Sequence, residues 1–561
     1  MKSGLQLKTA ITQLAAGLAL VCFAILPSAY SVVPPPDGGY PNLTTAEGTK
    51  ALQNLTTGAG NTGLGWFSLF SDTAGSFNTG VGAGTLVLNT GDDNTATGVA
   101  ALLLNTTGAD NTANGTAALV HNSTGNSSTA IGAFALNSNT IGDGNTAAGA
   151  SALLSNTTGS ENTAIGVEAL KSNTTGVDNT ATGFRALTNN VSVDNTANGF
   201  GALQSNTTGS DNTAVGSQAL LFNTEGSSNT AVGGSALFSN VTGSSNTANG
   251  EEALFANTTG AGNTAIGAAA LTANTDGFGN TADGFQALQS NTSGNGNTAA
   301  GLAALSANTI GVENTAIGFN ALAANTDGTN NTAIGSGALV NSNGDFNAAI
   351  GLGALSNNTT GSSNIALGRL AGEGVTTANN VICIGALVDG ANVSNSCYIG
   401  NIHGQSVDPG SSLPVFADSA GKLGTTLSSR RFKRDIRPMD NSSEAVLALK
   451  PVTFFYKSDN KSIPQFGLVA EEVVEVNPDL VIRGEDGELL GVRYEQINAM
   501  LLNEFLKEHK SFLEEQGKVQ RLEAALEAVN TRLKEQETKI KEVTQQMEVA
   551  KSVSRMASNN P

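Results

Sequence analysis

The sequence predicts a mainly β protein: a long parallel β-solenoid (β-roll) of about 17-residue repeats, then a small α+β module, then a C-terminal coiled coil. Three observations predict it. The pentad Asn-Thr-Ala-x-Gly returns from Asn61 through Asn78, Asn94, Asn111, Ser128, Asn145 and Asn162 to Asn331, Asn347, Asn364 and Asn380, almost always 17 residues apart and occasionally 16. A fixed period of this length marks a solenoid. Beyond Gly400 the repeat stops and charged residues become frequent. Past Gly517, apolar residues fall into heptads, the pattern of a coiled coil.

Residues 1–31 read as a signal peptide. Lys2 and Lys8 precede an apolar run from Leu14 to Leu26, and Ala29-Tyr30-Ser31 offers small residues where a signal peptidase cuts. The run is shorter than a membrane span requires, so no span is expected after signal removal. Export to the cell surface or medium is therefore expected, with a retained N-terminal anchor as the alternative. Cys22 follows Leu20 and Val21 rather than small residues, which speaks against lipidation. Residues 32–60 form an N-terminal cap or linker.

Residues 61–402 are the rungs. Each copy reads as in the stretch from Asn162 to Asp178, and two Gly signals break it into short extended pieces joined by turns. Ala164 and its equivalents hardly vary, whereas the next position runs through Ile165, Thr182, Asn198, Val215 and Asp283. Alternation along a strand then points the Ala inward and the variable residue outward. The series Leu102, Leu119, Leu136, Leu153, Leu170 and Leu187, onward to Leu355, supplies the larger core ladder, leaving Glu168 and Lys171 outside. Strands about 4.8 Å apart make a rod on the order of 95 Å long. Such small inward residues make a thin coil that buries little apolar area alone.

Composition excludes some functions. With 13% charged residues, 5% aromatics and 68 Gly, the chain relies on backbone ladders rather than bulky packing. A net charge of -19 argues against nucleic acid and anionic membranes as main partners. His121, His403 and His509 are isolated, so neither a metal site nor a cofactor is expected. No Gly-Gly-x-Gly-x-Asp nonapeptide occurs, which weakens a calcium-loaded solenoid. Cys383 and Cys397 occupy different phases of their rungs and should point to opposite faces, which disfavours a disulfide. The repeated Thr62, Thr95, Thr112 and Thr163 leave open a flat ligand- or ice-binding face, if all face outward in two files.

Residues 403–426 form a linker, with Asp408-Pro409-Gly410, a strand-like Val415-Phe416-Ala417 and a turn from Asp418 to Gly421. The mixed module spans 427–513, with strands expected at 452–456 and 489–494 and a helix from Val469 to Val476 that stops at Asn477-Pro478. An amphipathic helix packed on its own domain suits Phe505 to Leu513. In 514–561, Val519, Leu526, Leu533, Ile540 and Met547 share one heptad position and Leu522, Val529, Gln536, Val543 and Ala550 the other, ahead of a polar tail. This seam calls for self-association, and Gln536 is a polar core residue of the kind that fixes register.

The concentrated reactive signal is Ser428-Ser429-Arg430-Arg431-Phe432-Lys433-Arg434. A Ser attacks only when something takes its proton, and a Lys does so once neighbouring cations or burial disfavour its charged form. Arg430, Arg431 and Arg434 crowd Lys433 in this way. Such a run is ordinarily a solvated basic turn, and catalysis is the rarer reading.

From Leu427 to about Lys507 the chain resembles the intramolecular chaperone domain of endosialidases and phage tail fibres, a self-cleaving serine peptidase family. The matching pieces are Ser428-x-x-Arg431-x-Lys433-x-x-Ile436, Leu449-Lys450-Pro451-Val452, Phe466 through Val473, Asn477-Pro478-Asp479-Leu480-Val481 and Val492-x-Tyr494. The resemblance implies a catalytic dyad of Ser428 and Lys433, a cut adjacent to Ser428 and a positioning role for Arg431. The chain departs from many members at Ser429, where they carry Asp. The repeats more weakly resemble the heads of trimeric autotransporter adhesins, whose Asn-x-Ala-x-Gly motifs build a left-handed parallel β-roll as a trimer. Together these imply an exported, adhesin-like fibre that acts as a homotrimer on an unknown surface or glycan ligand, with a C-terminal assembly chaperone that removes itself. The signal peptide disfavours a phage tail fibre proper. The alternative reading is the Thr-ladder solenoid with an uncleaved trimerisation domain.

Overall fold

The computed structural model describes residues 41–418, 421–484 and 486–556. The signal-peptide segment with Cys22 and the polar tail 557–561 lie outside the described residues. The chain divides into two units, Met1–Gln405 and Ser406–Pro561.

The first unit is a parallel β-solenoid. Among the described residues it holds 22 strands in one sheet, from β1 (Thr45–Glu47) to β22 (Ser396–Ile399), each paired with the strand one rung away. The ladder starts one period ahead of Asn61, since Thr45 pairs with Thr62. In β8 (Thr163–Ile165), Ala164 is fully buried and Ile165 is exposed. Leu102, Leu153, Leu170 and Leu220 are buried as expected, and Asp283 is exposed. Glu168 lies at the surface under two cations, Lys171 and Arg185, each 2.7 Å away, which hold its carboxyl below the usual carboxylate range.

Two features of the rung are not visible in apolar periodicity. The core Leu residues sit in the left-handed backbone region, with φ 49° at Leu170, which costs roughly 1–2 kcal/mol per residue. Full burial of the side chain contributes about 1.5–3 kcal/mol. The Leu170 N–H also bonds the Ala186 carbonyl of the next rung at 3.0 Å. The second feature is a buried polar spine. The Asn162 amide donates to Gly176 O at 2.9 Å and Asn145 Oδ1 at 3.1 Å, and its own Oδ1 accepts from the backbone and side-chain N–H groups of Asn179. A second buried file passes from Asn139 to Asn156 to Asn173, each amide donating to the Oδ1 one rung earlier. Repetition satisfies most of these groups, because each rung presents the same donor and acceptor at the same height, while the buried Oδ1 atoms of Asn173, Asn325 and Asn358 in the second file lack a partner among the described residues. It also demands Gly: a Cβ on Gly166, where φ is +135°, would lie 2.3 Å from the Gly183 carbonyl.

One phase assignment changes at the C-terminal end. Val381, not Asn380, stacks beneath Asn364: Val381 is buried, its N–H bonds Asn364 Oδ1 at 2.8 Å, and Asn380 is exposed. The Gly series sets the phase here, because Gly385 follows Gly368 by a full 17 residues. Cys383 is buried and Cys397 exposed, both free, with Cys397 opposite Ile382 rather than Cys383.

In the second unit, β23 (Phe416–Ala417) and β24 (Leu423–Gly424) make a small antiparallel hairpin. A 3-10 segment, Asp440–Ala448, precedes β25 (Val452–Phe454), which pairs with β26 (Gln465–Gly467). The short helix Ala470–Val476 ends at Asn477, whose side chain accepts from Asp479 N at 2.9 Å. Then β27 (Val481–Arg483) and β28 (Leu489–Val492) pair, and one helix runs without a break from Tyr494 to Met556. Tyr494, expected to end a strand, opens this helix, and its hydroxyl accepts from Leu468 N at 2.8 Å. The core comprises Val446, Val473, Leu480, Val481, Val492, Ile497 and Met500.

The expectation that Phe505 to Leu513 packs on its own domain is not met. Phe505, Leu506, Phe512 and Leu513 are all exposed, and Gly517 lies within the helix. The helix is held one turn earlier, where Asn503 Nδ2 donates to Asp440 O at 3.0 Å and Ser443 Oγ at 2.7 Å, and Glu504 bonds Ser443 and Lys507.

Candidate functional site

The Ser428 segment gains its geometry from one tight turn. After extended Ser429, residues Arg430–Phe432 form a single 3-10 turn, closed by Phe432 N to Ser429 O at 2.9 Å and Lys433 N to Arg430 O at 3.1 Å. The chain thereby reverses, and Lys433, itself extended, returns alongside Ser428. Its ammonium Nζ donates to Ser428 Oγ at 2.9 Å. Such contact between a hydroxyl and an amine is what proton transfer from a Ser nucleophile to a Lys base requires.

The structure brings Ser428 and Lys433 together and does not draw Arg431 to them. Among the described residues Arg431 instead lies over the neighbouring Phe432 ring, its guanidinium carbon 4.6 Å from the centroid. Ser429 precedes the turn and makes no side-chain cap. Ser428, Lys433, Phe432 and Ile436 are all exposed in the single chain. The other motif pieces build the scaffold: Leu449 closes the 3-10 segment, Phe466 to Val473 carry β26 into the short helix, Asn477 to Val481 cap that helix and open β27, and Val492 leads into the long helix. Among the described residues no His, Cys, Asp and Glu cluster is arranged for a metal, and no helix is long and apolar enough to cross a membrane.

The turn lies in a small module that follows the repetitive parallel β-solenoid and precedes a long helix. Residues 428–482 match the family described as chaperone of endosialidase, and the match begins at Ser428 itself. No curated protein and no solved structure matches the chain.

Proposed function

We propose that the chain is an exported, homotrimeric fibre whose C-terminal module trimerises, guides assembly of the solenoid and then cuts itself off. The observation that carries this reading is the 2.9 Å contact from Lys433 Nζ to Ser428 Oγ at the first residue of the family match. In the step itself, neutral Lys433 takes the Ser428 proton as Oγ attacks the carbonyl carbon of an adjacent peptide bond. The C–N bond breaks, the departing amine receives the proton from Lys433, and water hydrolyses the ester that remains. Cleavage is expected to require the assembled trimer, in which water or a second chain is placed correctly against the Ser428 turn.

Self-association is supported by the long helix. Val519, Leu526, Leu533, Ile540 and Met547 each stay at least half exposed in the single chain, and all lie on one seam. Expressed alone, wild-type protein should split into a solenoid fragment and a C-terminal piece of about 130 residues. Ser428→Ala and Lys433→Met should stay full length and still form trimers, as read by mass spectrometry and sedimentation. Cleavage of Ser428→Ala at the wild-type rate would reject the dyad.

A second reading, the ligand- or ice-binding face, draws on the file from Thr45 to Thr332, which occupies the first strand position rung after rung and points away from the buried Ala. Only one such file is pure Thr. The other outward position mixes Thr97 and Thr182 with Ile, Val and Asn, so the paired files that ice recognition needs are not both present. Thermal hysteresis of the purified protein tests it.

A further inference from the structure

The outward position at the end of each strand changes character along the solenoid. Through the N-terminal rungs it mixes aliphatics with Asn114, Asn198 and Asn249, and it ends in Asp283. After Ala300 it is aliphatic in every rung: Ile317, Ile334, Ile350, Leu367, Ile384 and Ile399. These six pair Cα to Cα from one rung to the next, so they form one straight strip. Each is 36–48% exposed. Phe319 and Leu352, two residues further along their rungs, and Ile365 widen the strip and are exposed as well.

A parallel sheet is normally covered on both faces, and a contiguous apolar strip of this length is rare on a free surface. These nine half-exposed side chains amount to on the order of 800 Å² per copy, the size class of a stable interface. Charge selects the same end of the solenoid. In six of the ten rungs from Asn61 to Asn212 the position just before the buried Asn or Ser is acidic, Asp93, Asp110, Glu161, Asp178, Asp194 and Asp211, and these would repel a second copy. From Ser228 to Gly296 that file is uncharged, and beyond it only Glu313 is acidic.

We propose that the strip from Ala300 to Ile399 is the face on which copies of this chain pack against one another, with axes parallel and rungs in register, and that Asp283 is the stop that fixes the register. The inference rests on the fibre reading above and names its contact face. A second copy fits because its strand-end file has the same rung spacing and carries no charge from Ala300 to Ile399, Arg369 being the charged residue in the flanking file of Phe319 and Leu352, whereas an unrelated partner would have to match spacing and polarity over seven rungs. In register, the Asp283 carboxylates of neighbouring copies face one another at the rim of the contact, where water reaches them. A slip of one rung sets Asp283 against Ala300, and a slip of two sets it against Ile317. An unpaired carboxylate there is costly, which makes in-register pairing the favoured one.

The test uses the full chain with Cys397→Ser, which removes the exposed native thiol, and adds one cysteine: Ile334→Cys or Ile350→Cys on the strip, or Thr360→Cys on the exposed turn. Treated with a short bis-maleimide, the two strip variants should give covalent dimers at least tenfold more abundantly than Thr360→Cys. Chains carrying Ile334→Cys and Ile350→Cys, co-expressed with different tags, should link to their own kind rather than to each other. Adding Ile317→Asp and Leu367→Asp to Ile350→Cys should abolish the link while the β signal in circular dichroism persists. Equal linking at 334 and 360 overturns the proposal. So does an assembly held by the long helix with no link at 334, which spares the fibre reading, whereas a wholly monomeric protein overturns both.

Discussion

Asp72 stands in the second buried file, one rung before Asn89, where later rungs carry Asn. Its Oδ1 accepts from Gly75 N at 2.8 Å, yet desolvation pushes its carboxyl up to about 6, with Asp92 adding repulsion and the Gly75 and Ala74 N–H groups opposing. The sign follows from proton binding. Between the ordinary value of 3.8 and about 6 the folded chain holds this proton more tightly than the unfolded one, so stability falls as pH rises through that window and stays lower above it. The chain has a single Trp, and Trp66 lies in the same rung as Asp72. Urea melts followed by its fluorescence should therefore weaken from pH 4 to pH 6.5. Asp72→Asn should flatten this dependence and strengthen the N-terminal rungs at pH 7 by about 2 kcal/mol. A wild-type melt that strengthens over that window would contradict the desolvated-carboxyl account.

At the level of elements, the long helix carries the clearest single-chain anomaly: a heptad seam on a helix with nothing over it. A peptide spanning 518–551 should sediment as a parallel trimer, and Leu533→Glu with Ile540→Glu should make it a monomer. The same pair of changes in the full chain should slow self-cleavage, although neither residue touches Ser428. Normal cutting by a monomeric variant would show that the turn is active without assembly. The heptads were legible in sequence because a seam repeats whether or not a partner is present. The strand phase was legible too, since a 17-residue period forces like residues into line. The Asn files were not, because apolar periodicity places amides outside; only stacked rungs supply partners for an amide whose neighbours are Gly carbonyls and other Asn residues. Asn380 misled for a related reason, as residue identity pointed one way and Gly spacing the other. The Ser428 and Lys433 pair was suggested by family resemblance, and its contact depends on a 3-10 turn that residue spacing alone does not specify.

For the molecule as a whole, near-identical rungs create a folding problem. Any copy of Asn-Thr-Ala-x-Gly can stack on many others, so free chains have many wrong registers close in energy to the right one. Under the proposed function, a C-terminal clamp that joins three chains first would remove most of those choices, and rungs would then add upward from Ile399. The proposed cut at Ser428 would remove the clamp but break no rung-to-rung hydrogen bond within the described solenoid, so the assembled rungs should unfold no faster than before. Refolding should differ sharply. After denaturation in guanidinium and dilution, the uncut Ser428→Ala protein should regain its β signal and its trimer mass, whereas the cleaved solenoid should recover at least several-fold less and form mixed aggregates. Circular dichroism and sedimentation on the same samples report the two quantities separately. Equal recovery would mean that the solenoid finds its own register, leaving the module as a trimer clamp with no part in folding.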